Sequence, residues 1–493
     1  MTHLKGAARR LLLALPLVAL AGCKAMGPDF ARPADPASAS YAATNKTVRG
    51  PSAVFGVETP LRWWEALGSP DIDALVDRAM AGNKSLAASL ATLEKAREHA
   101  RSVQGKLYPQ VDANAGIERQ RFNLSAFGID PSSFGLPSAG NPEATLLSVG
   151  GGVSYDPDLF GANRRAREQA LADEETQLRE TQAAHLTIAG RVVLQALTIG
   201  ALDDRIAAVN ALIAEDERNV TLVDKKRRGG EGTMVEVLNA QAQLAGDRTV
   251  LPQLDQQRVE ARDMLAILLG ISPGELGPTA FSLSALTLPA NVPVALPSEL
   301  VHKRPDILAA EARLHSATAA VGMATAKLYP SISLGATFQQ MTTHPLDIFT
   351  AGANGFNIFA RLAAPIFDGG QLKADKRAAE AELRASAARY QQTVLEAFGQ
   401  VSDLLSALEN DARSVGLQGE SVNVAERSLS LSRRSFQIGN SGVLTVLDSS
   451  RTAQRARLAL LDARGRQFVD LVRLYVATAG GWTGPAIPPP PAP

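Results

Sequence analysis

The side chains best suited to bind a metal or to act as nucleophiles are scattered along this sequence of 493 residues. No two histidines have the short spacing that presents metal ligands on one face of a helix; they are His3, His99, His185, His302, His315 and His344. The glycine triplet at 150–152 is not followed by the Lys-Ser or Lys-Thr pair of a phosphate-binding loop. We therefore predict that the protein is not an enzyme and holds neither a metal ion nor a cofactor.

The single cysteine, Cys23, stands where its thiol can be modified but cannot form an internal disulfide. A basic segment and an apolar run at 11–20 precede Leu-Ala-Gly-Cys at 20–23, a sequence typical of a bacterial lipoprotein signal. We expect residues 1–22 to be a signal peptide with a lipobox, and Cys23 to carry acyl chains such as palmitate. The alternative is an incidental cysteine at the end of a secretory signal. Lys24 stands where aspartate would favour retention in the inner membrane, so it indicates the outer membrane.

The overall composition excludes two classes of protein. The 50 basic and 50 acidic residues cancel, so the chain lacks the basic footprint of a nucleic-acid-binding protein. After the signal there is no uninterrupted run of about 20 apolar residues, so we expect no transmembrane helix. The proline-rich end at 481–493 is predicted to be an extended tail.

Short motifs recur in the same order in two halves of the chain, which indicates a duplication. Lys-Leu-Tyr-Pro occurs at 106–109 and at 327–330, and a Pro-Asp-Ile motif occurs at 70–72 and at 305–307. At a constant offset of 209, Gly230, Val237 and Leu238 correspond to Gly439, Val446 and Leu447. We therefore predict two repeats at 69–298 and 299–480, preceded by an N-terminal segment at 23–68.

Each repeat begins with a helix, predicted at 71–106 and at 304–327, that ends at Tyr-Pro because the residue before proline leaves the helical region. Apolar and polar residues then alternate, which is typical of strands with one apolar face. The alternation predicts strands at about 108–122, 146–160, 329–340 and 356–367, joined by turn-rich links.

Long helices follow the strands, at 161–270 and at 369–480. A heptad seam marks the second set, through Leu383, Ala387, Tyr390, Val394, Ala397, Val401, Leu404 and Leu408. One continuous helix over 161–228 would be roughly 100 Å long at 1.5 Å per residue. A helix of that length must pack laterally against others.

The four predicted strands have the length and alternation of strands in outer-membrane barrels. A small soluble sheet with one solvated face is the alternative. Four strands cannot close a barrel, and an open edge in lipid leaves backbone groups without partners. If the strands enter a membrane, several copies of the chain must therefore pool them, in a number that this argument leaves open.

The sequence resembles the TolC- and OprM-type outer-membrane efflux proteins, in particular their NodT-like lipoprotein branch. The matching motifs lie at 304–307, 310–311, 328–332, 367–370, Gly439 and 446–448. The resemblance implies a mainly α fold with a β-barrel part. An internally duplicated α-barrel of long helices would reach into the periplasm, and four strands per chain would contribute to a trimeric, 12-stranded transmembrane β-barrel. An equatorial collar would include Trp63, Trp64 and residues 270–298.

The resemblance also implies the function and the partners. The protein would be the exit duct of a tripartite efflux pump, would conduct drugs, metal ions or other solutes passively, and would lie in outer-membrane lipid. A periplasmic adaptor would join this homotrimer to an inner-membrane transporter of the RND type. Two alternatives are a type I protein-secretion duct and a periplasmic coiled-coil structural lipoprotein; the second does not explain the strands.

Two glycine-rich turns and the acids beyond them are the candidate functional residues. The resemblance makes Gly230, Gly439 and Ile438 candidates for adaptor docking, although these glycines could serve turn geometry alone. It places Asp448 at a periplasmic gate, with Glu236 at a similar place in the first repeat. A ring of carboxylates in a narrow pore favours cations. Arg451, one helical turn after Asp448, is a third gate candidate or the partner of Asp448 in a surface ion pair.

Overall fold

The computed structural model describes residues 25–34, 41, 52–121 and 143–478. The predicted signal peptide 1–22, Cys23 and the proline-rich tail 481–493 lie outside these residues. The described strands are β1 (Ser52–Phe55), β2 (Gln110–Arg121), β3 (Glu143–Tyr155), β4 (Asn291–Val294), β5 (Ser331–Thr342) and β6 (Asn354–Ala363). The described α-helices are α1 (Pro70–Gly82), α2 (Lys84–Gly105), α3 (Ala162–Arg228), α4 (Met234–Arg248), α5 (Val250–Leu269), α6 (Pro297–Lys303), α7 (Pro305–Ala326), α8 (Gln371–Gln437) and α9 (Val443–Thr478).

The chain divides into two compact units. The sheet unit comprises residues 1–32, 94–175 and 312–388, and the helix unit comprises residues 33–93, 176–311 and 389–493. Both units draw on both halves of the sequence, as expected if each half supplies the same series of elements.

The sheet unit contains four antiparallel strands in the order β2-β3-β5-β6. β2 pairs with β3 along its whole length, from Gln110 opposite Ser154 to Arg121 opposite Glu143. β3 pairs with β5, and β5 pairs with β6. Among the described residues, β2 and β6 each pair on one side only, so the sheet has two open edges.

The register puts the apolar residues of all four strands on one face. Val111 lies opposite Val153, Val153 opposite Ala336, and Ala336 opposite Ile358, so the alternation stays in phase across the sheet. Much of this face is exposed: the exposed fraction is 81% for Val111 and 76% for Ile358. Monomeric soluble proteins rarely expose so continuous an apolar surface.

The predicted strands exist, but two of their boundaries were wrong. The second strand ends at Tyr155 instead of residue 160. Asp158 has a φ of 50°, and its carboxylate accepts the N–H groups of Asn163 and Arg164 at the start of α3. The last strand ends at Ala363 instead of residue 367, because Pro365 cannot donate to a ladder.

The helix unit is held by a core that includes residues from both halves. Trp63 and Trp64 are 1% and 0% exposed, and the Trp63 ring stacks on Tyr475 with 5.5 Å between centroids. The heptad prediction is confirmed for the part of α8 in this unit, where six seam residues are buried: Tyr390, Val394, Ala397, Val401, Leu404 and Leu408.

The two longest helices, α3 and α8, have 67 residues each. Residues 162–228 form one continuous helix, which is the case considered for 161–228 in the sequence. The remainder of the first repeat is not continuous, because α4 and α5 meet at Thr249, while α9 runs unbroken for 36 residues. Pro252 lacks the N–H that would bond to Arg248 in a continuous helix, and this explains the break.

The single helix predicted over 71–106 was also wrong. Asn83 separates α1 from α2 in an extended conformation. Its side-chain oxygen accepts the N–H of Leu86 at 2.9 Å, and its side-chain amide donates to the carbonyl of Leu268 at 2.7 Å. The residue therefore caps the second helix and ties it to α5.

The N-terminal segment and the region after α5 meet in a small sheet of the helix unit. β1 and β4 pair in parallel, from Ser52 opposite Asn291 to Phe55 opposite Val294. β4 lies within residues 270–298, which the resemblance assigns to a collar, and β1 lies in the N-terminal segment 23–68, which was expected to pack near that collar. Their arrangement around a helical barrel stays a prediction.

One described helix, α3, contains a window apolar enough to span a membrane by length and composition alone. No such stretch was predicted from the sequence, because polar residues interrupt the apolar residues of α3 and no unbroken apolar run results. Of this window, 56% is buried within the structure, with Val192, Ala196 and Ile199 in the core of the helix unit. Burial of this kind is typical of a core helix.

Candidate functional site

The two glycine-rich turns have the same backbone geometry. Gly230 and Gly439 both have a φ of 80°. The N–H of Glu231 donates to the carbonyl of Lys226, and the N–H of Asn440 donates to that of Ser435, each at 2.9 Å. A hydrogen bond of this kind ends a helix at a glycine in the left-handed conformation. Its recurrence at equivalent positions supports the duplication.

Neither turn glycine is needed for close packing. A β carbon added to Gly230 or to Gly439 would have no neighbour within 4 Å. Their positive φ is the physical reason for glycine, because other residues resist that conformation. The turns are therefore open backbone surfaces of fixed shape.

The ends of the two helical hairpins pack together beside these turns. Lys226 lies over the ring of Phe436, with 3.8 Å from Nζ to the centroid. Beneath this contact lies a buried apolar cluster that includes Val223, Val237 and Val443. We call the turn residues 229–233 and 438–442 with the exposed apolar side chains beside them the tip surface. Those side chains are Met234, Val235, Leu238, Ile438 and Leu444, which are between 53% and 67% exposed.

Two of the three gate candidates share a groove of about 460 Å³ between α4 and α9, where Asn239 and Gln243 of α4 face Leu444, Leu447, Asp448 and Arg451 of α9. Arg451 donates to the side-chain oxygen of Gln243. Among the described residues no ion pair within 4 Å joins Arg451 to Asp448, and the surface-pair alternative stays a prediction.

The third gate candidate, Glu236, lies at the start of α4 and completes a capping box. Its carboxylate accepts the N–H of Thr233 at 2.7 Å, and the Thr233 hydroxyl accepts the N–H of Glu236 at 3.3 Å. This arrangement satisfies two donors at the helix start. Glu236 therefore has a structural task that the sequence analysis did not assign to it.

A buried carboxyl group next to the groove was not predicted from the sequence. Asp216 of α3 is 3% exposed, and burial, followed by the nearby carboxyl group of Asp247 of α4, raises the pKa of Asp216 to about 7. The available signal was near-symmetry: Asp216 lies 15 residues before Glu231, at the centre of the turn, and Asp247 lies 16 residues after it, so a helical hairpin brings the two to the same level.

The segment after Cys23 is fastened to the sheet unit. The buried Arg165 side chain donates to the carbonyl of Met26 at 3.1 Å and pairs with Asp29 at 2.7 Å. The ring of Phe30 stacks on His315 with 4.4 Å between centroids. Residues 26–30 therefore have a defined place in this unit.

Comparison with known proteins decides the family. The family described as "Outer membrane efflux protein" matches residues 75–271 and 296–480. The chain belongs to the outer membrane efflux protein family.

Two relatives from Pseudomonas putida match over most of their length. The pyoverdine export outer membrane protein OpmQ is 30% identical over 428 residues, which cover 85% of this chain and 88% of OpmQ. The probable efflux pump outer membrane protein TtgC is 30% identical over 482 residues, which cover 96% of this chain and 95% of TtgC. The solved outer-membrane channel OprN superposes with a TM-score of 0.82 at 25% identity and covers 92% of this chain and 99% of that structure.

Family membership shows where in the cell the sheet and the helices lie. This outer membrane efflux protein is an outer-membrane channel of an efflux system, with a β-barrel part and a helical part that extends into the periplasm. The predictions of family, fold class, channel function and location are confirmed. The roles of individual residues at the tip surface and in the groove stay predictions.

Proposed function

We propose that three copies of this chain close one 12-stranded barrel by pairing β2 of each copy with β6 of the next. The open edges of the sheet carry this proposal. Their N–H and C=O groups lack partner strands among the described residues, and the apolar face is exposed on the same strands. In lipid, unpaired backbone groups cost several kcal/mol each, so both edges need partners.

Cysteine pairs on the two edges test this closure. Asn114 lies in the middle of β2, and Asn357 lies in β6 on the same polar face. In Asn114→Cys/Asn357→Cys, and in variants that move the β2 cysteine by two residues, oxidation should give covalent dimers and trimers. Ser148→Cys/Asn357→Cys is the matched control, since β3 is an inner strand. Equal cross-linking of control and edge pairs would contradict the proposed pairing.

The tip surface is the proposed docking site for a periplasmic adaptor that connects the channel to an RND-type inner-membrane transporter. Support comes from the exposure of Ile438, 67%, beside backbone held in a fixed left-handed turn by Gly439. Exposed apolar side chains around a rigid backbone are suited to contact a helical partner.

Gly439→Ala tests the docking role, because alanine resists a φ of 80° although the space around it is open. We expect weaker co-purification with the adaptor from the native host, with the channel still inserted. Gly419→Ala in α8 is the control, since that glycine lies outside the tip surface, has no positive φ and has no neighbour within 4 Å of an added β carbon. Undiminished adaptor capture by Gly439→Ala would contradict the role of this turn.

The groove between α4 and α9 is proposed to line the periplasmic gate, with Asp448 and Arg451 as its charged residues. Solutes would then pass the gate and the barrel passively, and the inner-membrane transporter would supply the energy. OpmQ is named for pyoverdine export and TtgC for an efflux pump. We propose drugs, metal ions or other small solutes as the transported class.

The N-terminal segment is proposed to be lipid-anchored at Cys23. The contacts of Met26 and Asp29 with Arg165 begin three residues after that cysteine, so the acyl chains would enter the membrane next to the sheet unit. Mass spectrometry of the mature N-terminus tests this directly: an acylated Cys23 is expected, and a free thiol on an uncut chain would contradict it.

A further inference from the structure

The elements of the two repeats correspond residue by residue. The bounds of α2 and β2 recur 221 residues later as those of α7 and β5, and the bounds of α3 recur 209 residues later as those of α8. The strand registers obey the same two offsets, because Gln110 lies opposite Ser154 in the first hairpin and Ser331 lies opposite Ala363 in the second. Each contact that the first repeat makes with the second therefore defines two counterpart positions elsewhere in the chain.

The two repeats meet along a line of contacts in the sheet unit. β3 of the first repeat pairs with β5 of the second, and the adjoining helices α3 and α7 also contact each other. Nε2 of His315 in α7 lies 2.9 Å from a carboxylate oxygen of Glu168 in α3. The Arg165 side chain of α3 covers Gly322 of α7, where an added β carbon would be 2.8 Å from Cδ of the arginine. We call these strand and helix contacts the internal seam.

The counterparts of His315 and Glu168 carry opposite charges. Arg377 of α8 lies 209 residues after Glu168, and Glu94 of α2 lies 221 residues before His315. Both residues are exposed, and among the described residues no ion pair within 4 Å engages either of them. The two positions can therefore form an ion pair like the internal one, with the acidic and the basic helix exchanged.

The second helix contact is exchanged in the same way. Its counterparts are Ala374 of α8, in place of Arg165, and Arg101 of α2, in place of Gly322. Ala374 is exposed, and the Arg101 side chain is 42% exposed, with Glu98 of its own helix as its partner. This level of the seam thus again combines one arginine with one small residue, so a long side chain has room to lie over the facing helix.

One contact of the internal seam has no counterpart. Phe160 stacks on Tyr329 with 4.9 Å between ring centroids. The corresponding positions are Gly369 and Tyr108, so one of the two rings is missing. The pairing of the counterpart residues therefore depends on the strands and on the two helix contacts.

The counterpart residues belong to opposite edges of the four-stranded sheet. Glu94 and Arg101 lie in α2, which precedes β2, whereas Ala374 and Arg377 lie in α8, which follows β6. β2 and β6 are the two edge strands. A second copy of the chain that adds its β2 to β6 brings the two sets of residues together, in a head-to-tail contact that can continue around a closed ring.

We propose that the contact between copies repeats the internal seam. Arg377 of one copy then pairs with Glu94 of the next copy, and Ala374 lies under Arg101 of the next copy. The proposal rests on the proposed closure of the barrel, to which it adds an ion pair and a strand register.

The same offsets determine that register. Ser148 lies opposite Met341 in the internal seam, and the corresponding residues are Asn357 of one copy and Gln120 of the next. The register also places Ile117 opposite Ala360, so the apolar residues of the two edge strands stay on one face. A shift by one residue would move them to opposite faces.

Charge reversal tests the ion pair. Glu94→Arg and Arg377→Glu each place two like charges at every contact between copies, so each should lower the temperature at which the oligomer dissociates in semi-native electrophoresis. Glu94→Arg/Arg377→Glu restores opposite charges and should recover most of that loss. Asp375→Arg is the matched control, because this exposed acid of α8 is two residues before Arg377 and thus roughly 200° away around the helix. A double variant that is no more stable than the single variants would overturn the ion pair.

Cysteine cross-linking tests the register and separates it from the closure itself. The closure leaves open which β2 residue lies opposite Asn357. With Asn357→Cys held constant and a single cysteine moved along β2, the yield of disulfide-linked chains should be greatest at Gln120→Cys, because the side chains of directly opposite residues are closest. A maximum at another β2 position would overturn the register while leaving the closure intact. No cross-link from any β2 position would contradict the closure and, with it, this proposal.

Discussion

Gly150 of β3 lies against the carbonyl oxygen of Phe338 in β5, so that a β carbon on residue 150 would be 2.6 Å from that oxygen. The two strands are neighbours in the centre of the sheet, where backbone atoms cannot move apart without breaking ladder bonds. Glycine at this position is therefore required by the close approach of two strands.

Gly150→Ala is expected to destabilise the barrel by about 1–3 kcal/mol, the usual cost of overpacking a close contact. The measurement is the temperature at which the oligomer converts to the monomer band in semi-native electrophoresis. Gly355→Ala in β6 is the control, since an added β carbon there meets its nearest neighbour at an ordinary 3.7 Å. Equal midpoints for the two variants would contradict the close contact.

Asn83→Ala should destabilise the helix unit by about 1–3 kcal/mol, because it removes a helix cap and leaves the buried carbonyl of Leu268 without its donor. Ser69→Ala, at the start of α1, should cost less, since its hydroxyl accepts the N–H of Ile72 at a long 3.4 Å. Denaturant unfolding of the detergent-solubilised protein measures both. A larger loss in Ser69→Ala would contradict the assigned role of Asn83.

Arg165→Gln should release the N-terminal segment without disrupting the channel. The buried guanidinium holds Met26, Asp29 and Glu168, so its loss leaves residues 26–30 with few polar contacts. Hydrogen exchange at these residues should accelerate while the oligomer persists. Arg119→Gln removes an exposed ion pair with Glu143. It should change neither the hydrogen exchange of residues 26–30 nor the oligomer, because exposed ion pairs contribute little to stability. Unchanged hydrogen exchange at residues 26–30 in Arg165→Gln would contradict the role of Arg165 in holding this segment.

Asp448→Asn should lower the cation preference of the channel, whereas Glu236→Gln should leave it unchanged. The Glu236 carboxylate caps α4, and a glutamine side chain can take its place in a capping box. Reversal potentials under a salt gradient measure the cation preference of both variants. A larger change of cation preference in Glu236→Gln than in Asp448→Asn would contradict the roles assigned to these two residues.

The Asp411–Asp470 contact predicts a stability that depends on pH. Burial, and then the charge of Asp470, raise the pKa of Asp411 above its ordinary value of 3.8. The folded state therefore binds a proton that the unfolded state releases, and its stability falls as pH rises above about 4. Asp411→Asn should flatten the thermal midpoint between pH 4 and pH 7. A midpoint that falls equally in the variant would contradict the raised pKa of Asp411.

The sequence predicted the fold as far as local patterns reach. Tyr-Pro ends a helix, the alternation around Val111 and Ile358 favours strands, and the heptads favour the long helix α8. Each of these patterns is a local preference, and the structure contains strands β2 and β6 and helix α8. The breaks at Asn83 and Thr249 were missed because they depend on what those residues contact, or on a single proline three residues away.

The candidate site was predicted less completely. Gly230 and Gly439 could be identified because a left-handed turn requires a particular residue type. The Thr233-to-Glu236 spacing is that of a capping box, so the task of Glu236 could have been read from the sequence, whereas the contacts of Gln243 with Asp247 and Arg451 could not. The positions of Asp216 and Asp247 about the turn place them at the same level of the hairpin, but the burial of Asp216 depends on the folded structure.

The account requires above all that the open sheet edges be closed by other copies of the chain. Light scattering of the detergent-purified protein, followed by single-channel recording, tests this most directly. We predict a particle of three chains that produces discrete conductance steps in planar bilayers, with lower-amplitude activity in Gly150→Ala. A stable monomer that produces no conductance would contradict the account.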